Sequence, residues 1–339
     1  MKAIGYRDPG PIERDDALLD IELPDPVPGP RDLLVEVRAV SVNPVDTKVR
    51  TRGGAEPGSA YKVLGWDVAG VVRAVGAGVT LFAPGDKVFY AGSIARPGAD
   101  SELHLVDERI VGTKPVSLGF AEAAALPLTA ITAWELLFDR LQVPRDGGDG
   151  DSLLVVGAAG GVGSMLVQLA RKLTKLRVIG TASRPETADW VRALGAHEVI
   201  DHRKPLAEEV ARIGVDGVRY IASLTHTDAH WPQLVEVLAP QGRLGLIDDP
   251  SPSPDVMALK RKSASLHWEF MFARALFETP DMIEQHRLLQ QVSRLVDEGV
   301  LRTTVGEHFG TIDAANLKRA HALLESGRAK GKIVLEGWD

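Results

Sequence analysis

The run Leu154-Val155-Val156-Gly157-Ala158-Ala159-Gly160-Gly161-Val162-Gly163 constrains this chain more than any other stretch. Three apolar, strand-favouring residues end in a glycine cluster. Val162, Met165, Leu166, Leu169, Ala170 and Leu173 then recur at helical spacing. Strand, glycine turn and helix, in that order, are what a dinucleotide phosphate site requires. Glycines let the backbone turn sharply and approach a pyrophosphate, and the helix N-terminus offers unpaired N–H groups and partial positive charge. Gly157, Gly160 and Gly163 give G-x-x-G-x-x-G, one residue longer than the common fingerprint. On spacing alone, an ordinary glycine-rich turn is the competing reading.

The flanks differ in texture. Before residue 120 the chain reads β-rich. Residues 33–40 alternate like a half-buried strand, and short strands are expected at 69–75, 86–90 and 102–106, separated by Pro/Gly turns. Residues 121–141 are Ala- and Leu-rich and predict helix, interrupted near Pro127. After Gly163, strands at 177–182, 198–200, 218–223 and 243–247 alternate with helices at 185–194 and 231–238. Such alternation implies a parallel, doubly wound α/β sheet. A long amphipathic helix at 281–298, a strand near 301–304, a helix at 313–325 and a strand at 332–335 complete the chain.

Composition narrows the function classes. The net charge of -7 comes from interspersed residues, so no basic stripe suits nucleic acid. The 339 residues contain no cysteine, which excludes disulfides, a cysteine nucleophile and Cys-ligated zinc. A reducing, cytoplasmic setting fits that absence. The N-terminus enters a strand-like run with no signal-peptide core, and no apolar run of membrane-spanning length is expected.

Several segments together resemble the medium-chain dehydrogenase/reductase superfamily over essentially the whole chain, and its zinc-independent quinone oxidoreductase branch in particular. They are Asn43-Pro44-Val45-Asp46 (N-P-x-D), Gly65-Trp66-Asp67-Val68-Ala69-Gly70-Val71-Val72 (G-x-D-x-A-G-x-V), Leu126-Pro127-Leu128-Thr129-Ala130, the glycine run, and Gly331-Lys332-Ile333-Val334. The stretch from Leu238-Ala239-Pro240-Gln241-Gly242 to His267-Trp268-Glu269-Phe270-Met271 also resembles a bacterial subgroup often called zinc-binding alcohol dehydrogenases. The resemblance implies a GroES-like β-rich catalytic domain over 1–123 and 273–339, and a Rossmann NADP-binding domain over 124–272. Paired edge strands near 265–270 in relatives imply a homodimer.

The zinc-bearing branch carries Cys and His where this chain has Asn43 and Trp66, and an indole cannot ligate zinc. His226 and His230 stand one helical turn apart around Asp228 but lack a third ligand, so capping and surface polarity explain them better. The chemistry expected is therefore metal-free hydride transfer from NADPH to a small electron-poor acceptor, a quinone or enone. The alternatives are a non-catalytic NADPH-binding protein of the same fold and a zinc-type alcohol dehydrogenase.

The second strand ends Gly180-Thr181-Ala182-Ser183-Arg184 with no acid to bind the ribose 2′-OH, which favours NADPH. Ser183 and Arg184 can take a 2′-phosphate. His202 stands where relatives often have Tyr or His near that phosphate. Gly157, Gly160, Gly161, Val162 and Gly163 are assigned to the pyrophosphate, and Thr129, Phe270 and Lys332 to the cofactor as well. Asn43, Lys48 and Trp66 are the candidate catalytic residues. Asn43 can bind the acceptor oxygen or the ribose. Lys48 can donate to a developing oxyanion, bind the ribose, or be an exposed strand-end lysine. Trp66 can line the pocket or pack the core.

Overall fold

From Leu33 to Ala39 every second residue is buried, and the strand Asp32–Val42 built on that alternation runs through the centre of a β-sheet. The structure, a computed structural model, describes residues 1–55 and 58–338. Its contacts divide the chain into two compact units, residues 1–131 with 272–339, and residues 132–271.

In the first unit the main sheet runs Val305–His308, Lys332–Glu336, Asp32–Val42, Val68–Val75, Lys87–Tyr90, Val111–Thr113, and Leu103–Asp107 also pairs with Asp32–Val42. The C-terminal strand is antiparallel to the central one, with Ile333 opposite Val42 and Leu335 opposite Val40. That register carries Lys332 to the end of the central strand, beside Asn43. A smaller sheet joins Leu19–Glu22, Lys2–Tyr6 and Lys62–Val63.

Residues 44–52 correct the strand-end reading of Lys48: they form the helix Pro44–Arg52. Pro44 at its first position presets φ, and the backbone N–H of Asn43 donates to Asp46 at 2.6 Å. Arg50 on this helix is buried, donating to the Gly10 carbonyl, to Glu325 and to His321 Nδ1 (3.4 Å). Burial, reinforced by the Arg50 charge, pushes His321 down to about 3. His321 is thus neutral when folded and protonates near its ordinary value of about 6.5 when unfolded. Stability is full above about pH 6.5 and is lost as the pH falls toward 3, by about 1.4 kcal/mol per pH unit. His321→Gln should remove that part of the acid slope in urea melts at pH 4, 5, 6 and 7. An unchanged slope would refute it.

The second unit is a parallel sheet in the order Glu198–Ile200, Arg177–Thr181, Ser152–Val156, Val218–Ser223, Leu238–Leu246, Ser265–Trp268. The strand Ser152–Val156 is buried throughout, as a central parallel strand must be. Leu154, Val156, Ile179, Ile221 and Leu244 pack with Trp231 and Leu234 of the helix Thr227–Val237 in one core.

Several features differ from expectation. The helix expected from Trp231 starts at Thr227, because Asp248 accepts from the Thr227 N–H (3.0 Å) and hydroxyl (2.6 Å), a cap supplied from another part of the chain. The strand expected at 301–304 begins at Val305. Leu301 is instead tied to the preceding helix through its N–H to Leu295, after Gly299 turns left-handed. The first unit continues through Ile131 rather than stopping at 123, because the helix Phe120–Ala124 packs on the strands Asp32–Val42, Val68–Val75 and Lys332–Glu336. Residues 120–140 are also apolar and long enough to cross a membrane, contrary to the expectation, but most of the stretch is buried in the protein.

Candidate functional site

The glycine run turns as its sequence requires. Gly157 follows the strand Ser152–Val156 at φ +80, a region that favours glycine. The helix Gly161–Leu173 begins at Gly160, and among the described residues no side chain caps that end. A Cβ on Gly163 would lie 2.4 Å from the Gly157 carbonyl oxygen, so only glycine lets the helix approach the turn this closely. Val162 and Gly161 stand half-buried in the first turn. The Gly157 N–H donates to Thr181 Oγ1 (3.2 Å), and Thr225 borders Gly157 from the next strand's end. Both threonines escaped the sequence reading, since neither belongs to the glycine pattern.

Thr181 pairs with Ile200, and the Ala182 N–H donates to the Ile200 carbonyl (3.0 Å). Ser183, Arg184 and His202 therefore emerge together at the carboxyl ends of adjacent strands, where open α/β sheets bind ligands. Arg184 is the N-cap of the helix Pro185–Ala193, with Nε 3.3 Å from Glu186. No carboxylate stands among residues 180–184.

Asn43 and Lys332 belong to the first unit, where they meet each other. Asn43 is 1% exposed. Its amide nitrogen donates to Asp67 Oδ2 (2.9 Å) and to the Ser41 and Trp66 carbonyls (3.2 Å each), and its oxygen accepts from Lys332. Lys332, 3% exposed, also donates to the Val42 carbonyl (3.0 Å) and pairs with Asp67 Oδ2 (2.9 Å). Three acceptors thus meet the three ammonium protons of Lys332. Asp67 Oδ1 accepts the Leu128 N–H (2.8 Å). Burial raises the Asp67 carboxyl, while the Lys332 ammonium, the Leu128 N–H and the Asn43 amide pull it down. Asp46 beside them is pushed up to about 7 by burial. Asp46 and Asp67 stood within the quoted motifs, yet their burial was not evident from spacing.

Trp66 resolves as core: it is 2% exposed, donates to the Ser93 carbonyl (3.2 Å) and meets Phe272 edge-on at 6.2 Å. Thr129 is buried, its hydroxyl bonded to the Leu126 carbonyl (3.1 Å). Lys48 is half-buried on the helix Pro44–Arg52, and Phe270 is half-exposed.

A second buried polar group lies in residues 132–271. Glu135 opens the π-helical turn Glu135–Arg140, in which the Leu141 N–H reaches back to Leu136. Arg140 Nε donates to Glu269 (2.8 Å), just past the strand Ser265–Trp268. Burial, then the neighbouring Glu135 charge, pushes Glu269 up to about 9. The Glu135–Glu269 pair therefore holds a proton to higher pH than an ordinary carboxyl does.

The glycine turn, the close helix approach and the uncapped helix end fit a dinucleotide. The donors do not fit zinc. Asn43 is committed within the fold and Trp66 offers no lone pair. Among the described residues no three His, Cys, Asp or Glu side chains are grouped to hold a metal.

Comparison with known proteins agrees with the fold. Residues 29–134 match the Alcohol dehydrogenase GroES-like domain, and residues 194–335 match a family described as Zinc-binding dehydrogenase. A Zinc-type alcohol dehydrogenase-like protein of Staphylococcus aureus (strain MRSA252) is 40% identical over 337 residues, 99% of each chain. A crystal structure from Rhizobium etli CFN 42, provisionally described as a zinc-dependent alcohol dehydrogenase protein, is 60% identical with a TM-score of 0.96, covering 100% of this chain and 98% of that one. Escherichia coli quinone oxidoreductase, solved as a complex with NADPH, is 26% identical with a TM-score of 0.84, covering 99% of this chain and 100% of that one. The paired matches, the parallel sheet and its glycine turn make this chain a member of the medium-chain dehydrogenase/reductase superfamily, an NAD(P)-dependent oxidoreductase.

Proposed function

We propose that this oxidoreductase uses NADPH to reduce an electron-poor acceptor, a quinone or an enone, without a metal. The observation that carries the reading is the end of the strand Arg177–Thr181. Ser183 and Arg184 follow it where an NAD-selective site would carry an acid. The complex of the E. coli relative with NADPH supports it. The reduced nicotinamide would supply the hydride. The acceptor gains that hydride and a proton from water, and the cofactor leaves oxidised. Quinones and enones suit such a site because they accept hydride with less Lewis-acid help than a simple ketone. Lys48, half-buried on the helix Pro44–Arg52, is the candidate to bind the cofactor ribose or to stabilise negative charge on the acceptor oxygen.

Arg184→Ala should weaken NADPH by about ten- to hundredfold and leave NADH within about twofold, since only NADPH carries the extra phosphate. Fluorescence titration of both nucleotides checks this. Equal binding of NADH and NADPH by the unaltered protein would sink the assignment. NADPH consumption with 9,10-phenanthrenequinone and with simple enones, against a plain alcohol with NADP, tests the acceptor class.

A further inference from the structure

Three histidines meet at the carboxyl ends of two strands that are not neighbours in the sheet. His202 lies two residues beyond Ile200, and His230 lies in the first turn of the helix Thr227–Val237. Their rings stand 6.0 Å apart at 73°. His230 Nδ1 is buried and makes no hydrogen bond. His226 precedes that helix with φ 52, an uncommon conformation for a side-chain-bearing residue, and bonds Thr225 Oγ1 (2.8 Å). Thr225 in turn touches the glycine turn, because a Cβ on Gly157 would lie 2.9 Å from its methyl group. The group thus spans from the glycine turn to the loop that carries His202, which emerges beside Ser183 and Arg184.

We propose that His230, acting through His202 at the 2′-phosphate position already assigned to it, makes selection of NADPH over NADH strengthen as the pH falls. This rests on the NADPH reading above. In the free protein two half-buried imidazoles this close disfavour each other's charge. Burial and then His230 lower His202, with Arg203 and His226 adding to this and Asp201 opposing. Burial and then His226 lower His230, with Asp228 opposing. Asp201 is held by Arg203 (2.8 Å), and Glu209 on the helix Leu206–Arg212 by Arg212 (3.0 Å) and Lys204 (4.0 Å). An arriving dianionic phosphate supplies the missing counter-charge, so His202 takes up a proton on binding. Each proton taken up gives as much as about a tenfold gain in affinity per pH unit lowered, and NADH, lacking the phosphate, gains none. His230 is a positioning residue that sets where this occurs.

Nicotinamide fluorescence titrations with NADPH and NADH at pH 6.5, 7.5 and 8.5 test this on the unaltered protein, His202→Gln and His230→Gln. The NADPH:NADH affinity ratio of the unaltered protein should rise at least about fivefold from pH 8.5 to 6.5. His230→Gln should raise the ratio at pH 7.5 about threefold and move the rise to higher pH, because the competing imidazole is gone. His202→Gln should lower the ratio and remove the rise, leaving the phosphate's own ionisation. NADH affinity should hold in both variants. A ratio favouring NADPH but flat with pH, or one whose profile His230→Gln leaves unmoved, would overturn the proposal and leave the NADPH reading intact. Parallel losses of NADH and NADPH would mark a structural role and overturn it too. Preference for NADH at every pH would overturn both readings.

Discussion

Lys332→Met should lower stability by about 3–5 kcal/mol, the cost of leaving one partner of a buried ion pair without the other. The methionine keeps most of the side chain's bulk, so the loss is of charge and hydrogen bonds. Asp67, fully enclosed and already raised by burial, would have to carry its charge beside no cation or take up a proton, and Asn43 Oδ1 would lose its donor. The cost arises from the abandoned partner, so Asp67→Asn in the same chain should recover much of it. Urea unfolding of the unaltered protein, both single variants and the double variant measures this directly. A Lys332→Met variant within about 1 kcal/mol of the parent, or a double variant less stable than Lys332→Met alone, would show that the pair does not act this way.

Glu269→Gln should have the opposite sign. Below its ordinary value near 4.5, both folded and unfolded chains hold the Glu269 proton, and burial of the neutral acid costs little. As the pH rises from 4.5 to about 9, the unfolded chain releases that proton while the folded chain keeps it. The folded state then binds more protons, and stability falls across the interval. Glutamine presents a similar neutral shape beside Glu135 and Arg140 without the proton. The variant should match the parent near pH 4.5 and exceed it by roughly 1–3 kcal/mol at pH 8. Urea midpoints at the two pH values check this. Equal midpoints at pH 8 would mean that Glu269 is ionised in the folded protein.

The sequence revealed the fold where one period ran unbroken through one element. The alternation at 33–40, the fully apolar strand before Gly157 and the helical spacing after it each reported a local burial pattern, and each element formed there. The sequence was less informative wherever a distant residue decided. The cap of the helix Thr227–Val237 comes from Asp248. Glu135 and Glu269 share an environment across 134 positions through Arg140, a proximity no local pattern reports. Beside Asn43 a Pro at the next position and an acid three residues on do mark the helix start locally, but the partners that enclose its amide, Trp66, Asp67 and Lys332, are distant. Trp66 sat in a recognised motif, but a motif names a position and not the direction its side chain takes.

The antiparallel pairing of Lys332–Glu336 with Asp32–Val42 also sets an order of events during synthesis. Residues 132–271 emerge as one continuous stretch and hold all six strands of their sheet, so this unit can close while the ribosome is still working. The surrounding unit cannot. Its central strand waits with the residues 39–42 end of one hydrogen-bonding edge open, and Asp67 waits without a counterion, until a lysine 289 residues beyond Asn43 arrives. The nascent chain thus carries a short unsaturated stretch of sheet edge and an unpaired acid until residues 332–336 arrive, and the same few residues resolve both.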